Sequence, residues 1–154
     1  MRAAVLCTVI LLIGCAKHDD NCIPGSELYA FQMYKSLDTS AGTVTIVNGN
    51  QTVFDFSYNY QQCAGVVGAA VSRDIYFQVP PETGDEFTYS GEGLSNLKAM
   101  VYLVAPIYPA LRLRPLSQGT IHGRKTGSAR WHITASLDTG TEIINIDKDF
   151  LRTD

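Results

Sequence analysis

From residue 42 onward, apolar side chains recur at every second position. Val44 and Ile46 alternate with Thr43 and Thr45, and Phe54, Phe56, Tyr58 and Tyr60 alternate with Asp55, Ser57 and Asn59. A period of two sends successive side chains to opposite faces, so these runs predict strands with one buried face. Between them, Asn48-Gly49-Asn50 supplies residues that tolerate positive φ and predicts a hairpin with a three-residue loop. That loop sets Val44 against Phe54 and makes the apolar faces coincide, whereas a two-residue loop flips the aromatic stripe to the other face. Ile75, Phe77 and Val79 form a strand that stops at Pro80-Pro81, because proline cannot donate to a ladder. Phe87 and Tyr89 mark a short strand before a Gly91-Glu92-Gly93 loop. Residues 99–105 are apolar at both parities, which predicts a central strand. Leu111, Leu113 and Leu116 mark another short strand, interrupted by Pro115. Residues 27–37 carry both periods: Leu28, Phe31, Tyr34 and Leu37 at helical spacing, Tyr29, Phe31 and Met33 in alternation. The aromatics and the lack of an N-cap favour strand, with helix left open.

The C-terminal region gives the clearest pattern. Trp131, Ile133, Ala135 and Leu137 share one parity, as do Ile144, Ile146 and Phe150. A two-residue Thr139-Gly140 turn pairs Ala135 with Ile144 and Ile133 with Ile146. A loop over Thr126-Gly127-Ser128 pairs Ile121 with Ile133 and Gly123 with Trp131, the glycine leaving room for the indole. The same register puts His122 opposite His132. Some eight to ten short strands, with turn signals about every 8–12 residues, predict an all-β fold: an antiparallel β-sandwich or a calycin-like barrel.

The first fifteen residues follow a different pattern. After Arg2, residues 3–13 are uncharged and mostly apolar. As a helix they reach about 16 Å, against a bilayer core of about 30 Å, and their order is that of a secretory signal. The run closes on Leu12-Ile13-Gly14-Cys15, which resembles the lipobox of bacterial lipoproteins. The resemblance implies a diacylglycerol on the Cys15 thiol, cleavage after Gly14 and acylation of the new amine. Two or more acyl chains give stable membrane anchoring without a transmembrane helix. Ala16, in place of an aspartate, implies the outer membrane. Lys17-His18-Asp19-Asp20 is similar to the surface-export tags of Bacteroidota lipoproteins, although His18 interrupts the pattern and a solvated linker explains the same charges. The expected organisation is a signal peptide over 1–14, a lipid-anchored tether over 15–26 and one β domain over 27–154, placed in the cell envelope on a face the sequence leaves open.

The 154 residues include four cysteines. With Cys7 in the signal and Cys15 acylated, Cys22 and Cys63 remain. In an oxidising compartment such a pair reads as one disulfide, with two separate thiols as the alternative. A net charge of -3 lacks the basic footprint of a nucleic-acid partner. His122 and His132 have Arg124 and Arg130 beside them and read as solvated strand residues, so no metal is expected. Asp55, Asp74, Asp85, Glu86 and Glu92 show no fixed spacing of a catalytic carboxylate pair, and no G-x-S-x-G occurs. Neither catalysis nor a cofactor is expected. Tyr58, Tyr60, Tyr76, Tyr89 and Tyr102 are candidate ligand-binding positions, since a phenol offers an apolar ring and a polar tip; core filling is the alternative. Tyr76 lies opposite the Ile75/Phe77/Val79 face. The expected function is a non-catalytic envelope lipoprotein that binds a small molecule, a glycan or an envelope protein. A structural accessory subunit of an outer-membrane complex is the alternative. Tyr89-Ser90-Gly91 is also similar, in a different residue order, to a loop of lysozyme-inhibitor lipoproteins, which implies a third reading.

Overall fold

A computed structural model describes residues 22–59, 62–63, 72–104 and 113–154, with side chains for 24–59, 72–101 and 113–154. Cys15 and Tyr60 lie outside the described residues, as do the side chains of Cys22, Cys63 and Tyr102. Eleven strands follow in chain order among the described residues: β1 (Cys22–Ile23), β2 (Ser26–Asp38), β3 (Thr45–Asn59), β4 (Gln62–Cys63), β5 (Ser72–Val79), β6 (Glu86–Ser90), β7 (Met100–Val104), β8 (Arg114–Pro115), β9 (Gln118–Gly127), β10 (Arg130–Asp138) and β11 (Ile143–Arg152). Nine of them form one curled sheet, a half-barrel, in the order β6-β9-β10-β11-β2-β3-β5-β7-β8. Every junction is antiparallel except β11–β2, a short parallel contact of Leu151 with Ala30 and Arg152 with Phe31. The chain is therefore all-β and barrel-like. The strand over 100–104 sits next to last in the sheet, not at its centre, and its two described side chains enter different cores, Val101 the main one and Met100 a second. Outside the main sheet, β1 pairs with β4 and sets Cys22 opposite Cys63. The expected tether thus contributes backbone to a ladder, and β2 begins one residue before the expected domain boundary.

The alternating residues build the core on the inner surface. Phe54 is fully buried and stacks on Phe77 at 4.7 Å, with Trp131 and Phe150 edge-on at 5.7 and 5.8 Å. Aromatic pairs in these geometries contribute about 0.5–1.5 kcal/mol each beyond area burial. Gly91-Glu92-Gly93, expected as a loop, opens a 3-10 helix over Gly91–Leu97 that buries Leu94 and Leu97 completely in this core.

The hairpin expected at Asn48-Gly49-Asn50 does not form there. Residues 45–59 run as one strand, and β2 and β3 make a single long hairpin whose reversal falls at residues 39–44. Three local features favour that site. Asp38 Oδ1 accepts the Ser40 amide at 2.9 Å, Gly42 N donates to Thr39 O at 3.1 Å, and Gly42 takes φ +74°; an Asx turn ending in glycine closes readily. Asn48-Gly49-Asn50 instead forms part of a bulge, where Lys35 faces both Asn48 and Gln51. A bulge changes which face later residues occupy. Leu37 and Ile46 therefore join Val53, Tyr76 and Met100 in a second, smaller core on the other side of the sheet. The Leu37 amide donates to the buried Gln78 side chain at 2.9 Å, tying the hairpin tip to β5.

In the C-terminal meander the faces are as expected and the registers are not. Ala135 pairs with Ile146 and Leu137 with Ile144, because the connection spans four residues, 139–142, rather than two. Thr139 Oγ1 and its backbone amide both reach the Glu142 carbonyl and hold that loop. On the other side Ile121 pairs with Ala135 and Gly123 with Ile133, with an irregularity beside Arg130. His122 accordingly faces Thr134, and His132 faces Arg124. Gly123 makes room for Phe87 instead of the indole: a Cβ there would overlap the Phe87 ring and stand 2.9 Å from Ile133 Cδ1.

Candidate functional site

The bulge, the turn after β5 and the β9–β10 hairpin meet at one end of the half-barrel. They enclose a cleft of about 300 Å³. Met33, Val79 and Trp131 form its apolar floor over the buried Phe54. Asn50, Gln51 and Thr52 come from the bulge, Pro80, Pro81, Thr83 and Asp85 from the turn, and Lys125 and Ser128 from the β9–β10 hairpin. Each rim segment is locally fixed. Pro80-Pro81 stops β5 and starts a 3-10 turn, closed by Thr83 N donating to Pro80 O at 3.2 Å. Gly84 at φ +76° redirects the chain. The Lys125 amide then donates to Asp85 O at 2.8 Å, while its ammonium lies 3.3 Å from the Asp85 carboxylate. Gln51 Nε2 donates to Asn50 Oδ1 at 2.8 Å.

Tyr34 also lines the cleft. It holds φ +56° and is 69% exposed. Bulky residues rarely adopt this conformation, and such backbone strain clusters at ligand clamps and active sites. The conformation belongs to the bulge, since the β2–β3 register skips Tyr34 between Met33 and Lys35 and so turns Leu37 to the second core, whereas the exposure of the ring serves no core packing.

Of the tyrosines singled out by sequence, the three with described side chains, Tyr58, Tyr76 and Tyr89, are elsewhere. Tyr58 is half-buried against the main core, Tyr89 is half-buried with its ring 5.9 Å from Phe87, and Tyr76 packs in the second core. Of the carboxylates, Asp85 sits on the cleft rim. Asp55 lies on the opposite side of β3, where burial and the nearby Asp74 charge raise its pKa to about 6 against a hydrogen bond from Ser57. Glu86 lies 3.6 Å from His122, whose Nδ1 meets Thr88 Oγ1 at 2.9 Å, and Glu92 is exposed. His132 sits between Asp147 at 3.1 Å and Asp149 at 3.0 Å. These two aspartates address different ring nitrogens, a surface ion network in which Arg130 also reaches Asp149 at 3.7 Å. Among the described residues no group of three or more His, Cys, Asp or Glu is arranged to hold a metal ion.

The cleft residues come from four separated stretches: 33–34, 50–54, 79–85 and 125–131. Two local signals mark it in the sequence. Asn48-Gly49-Asn50 interrupts a strand pattern, and Tyr34 breaks the alternation of Tyr29, Phe31 and Met33. Trp131, the only tryptophan, reads from sequence as core, and it is both core and cleft floor. No protein-family model, curated protein or solved structure matches this chain.

Proposed function

We propose that this chain is a lipid-anchored cell-envelope protein whose half-barrel binds a ligand without transforming it. The observation that carries the binding reading is the cleft: an apolar floor, a rim of convergent polar groups and a strained, exposed tyrosine at the mouth of a barrel-like sheet. Ligand sites are concave, largely apolar, furnished with a few placed polar groups, and often lie in barrel mouths. The Leu12-Ile13-Gly14-Cys15 pattern supports the anchor, with Cys15 carrying the lipid. Pairing of Cys22 with Cys63 in a disulfide fits their directly opposed backbone positions. Opposed antiparallel residues have Cα atoms about 4.5–5.5 Å apart, within the about 4.4–6.8 Å that a disulfide spans.

Trp131 is a built-in reporter for the binding half. Titration of the full-length protein with a chemically mixed metabolite library is expected to yield at least one compound that shifts Trp131 emission saturably and raises the melting temperature. A library that moves neither refutes the reading. For the anchor, Cys15→Ser is expected to release the protein from the membrane fraction; a variant that stays membrane-bound refutes lipidation at that position.

A further inference from the structure

We infer that the cleft takes a neutral carbohydrate, one or two hexose rings in size, with Tyr34 as the residue that grips it. The inference rests on the binding role proposed above and names the chemical class. Four observations converge. The rim side chains that face the space are amides and hydroxyls: Asn50, Gln51, Thr52, Thr83 and Ser128. Amides and hydroxyls both donate and accept, which matches sugar hydroxyls that do the same. Lys125, a cation of the rim, is matched by Asp85 at 3.3 Å, so the pair presents little net charge to a phosphate or a carboxylate. The floor is apolar, formed chiefly by half-buried Met33 with little of Trp131 exposed, and suits the C–H groups of a sugar better than a charged group. The volume of about 300 Å³ lies at the small end of ligand pockets, too small for a long acyl chain or a folded partner.

Tyr34 stands apart from the rest. Phe54 is wholly covered, and Trp131 is only 7% exposed, so neither offers a broad ring face. Tyr34, at 69% exposure, does. The bulge that places it also delivers Asn50, Gln51 and Thr52, so ring and amides belong to one local device.

The test uses full-length protein in a detergent without sugar headgroups, followed by Trp131 fluorescence. The probes are maltose, cellobiose, lactose and N,N′-diacetylchitobiose, backed by an array of neutral glycans. At least one neutral glycan is expected to bind saturably. Tyr34→Ala is expected to weaken it about tenfold, the worth of one aromatic contact, with an unchanged melting temperature, and Tyr34→Phe to retain most of the affinity. No binding to any neutral glycan overturns the carbohydrate assignment. If glucose 6-phosphate or a fluorescent fatty acid binds instead, and Trp131 reports it, the ligand class is overturned while the binding role stands. If a neutral glycan binds equally well to Tyr34→Ala, the role of Tyr34 is overturned.

Discussion

Asp55 is an expensive residue in this fold, and replacing it makes a sharp test. Its carboxyl lies partly buried on β3, with Ser57 donating a hydrogen bond at 3.1 Å and Asp74 nearby. Burial, together with the Asp74 charge, raises its pKa from 3.8 to about 6. The folded state thus holds this proton more tightly than the unfolded chain does. The favourable contribution is fully present below about pH 4 and is lost as pH rises through about 6. A gap of about two pH units at about 1.4 kcal/mol each sets a ceiling near 3 kcal/mol, and residual solvent contact lowers the working figure to about 1–2 kcal/mol. Asp55→Asn removes the charge and keeps an acceptor for Ser57. At pH 8 the variant is expected to be more stable by about 1–2 kcal/mol, or about 3–8 °C in melting temperature for a domain of this size. At pH 3.5 the two proteins are expected to melt together. Urea unfolding at six pH values between 3.5 and 8 reads the difference directly. Parallel curves across that range would show that Asp55 carries no such penalty.

Three further outcomes follow from the packing. Gly123→Ala drives a methyl into the Phe87 ring and against Ile133, and is expected to cost about 1–3 kcal/mol of overpacking; calorimetry showing no loss contradicts that contact. Phe54→Ala removes the ring on which Phe77, Trp131 and Phe150 converge and is expected to cost about 3–5 kcal/mol and to red-shift Trp131 emission. Reduction of a Cys22–Cys63 bond, which closes a loop of roughly forty residues, is expected to lower stability by about 2–4 kcal/mol; thiol titration of the oxidised, denatured protein that finds both thiols free rules the bond out.

The β10 and β11 patterns were legible because each has one buried face. Trp131, Ile133, Leu137, Ile144, Ile146 and Phe150 are all buried, as alternation predicts. Their pairing was not legible in the same way. Both registers differ by two residues from those expected, and a two-residue slip leaves every side chain on its face, so parity cannot detect it. Loop length decides, and the hydrogen bonds of Thr139 set that length. Parity failed more seriously at Asn48-Gly49-Asn50, because the same residues serve a hairpin or a bulge. What distinguishes the two is the stronger turn at Asp38–Gly42, which competes for the reversal. The cleft was least legible of all. Its parts are up to about a hundred positions apart, and no local pattern states that Tyr34 and Ser128 share a rim.

The parallel contact between β11 and β2 has a kinetic consequence. Two residue pairs join positions 30–31 to 151–152, nearly the full span of the described chain. The core follows the same plan, with Phe31 and Phe150 both packed around Phe54. Loop-closure entropy must be met before such distant contacts reward it, so folds of this kind form slowly, in milliseconds to seconds. Until the last strand has been delivered, Phe31 and Phe54 have no complete interior to enter, and the emerging chain exposes aromatic strands that invite pairing with other copies.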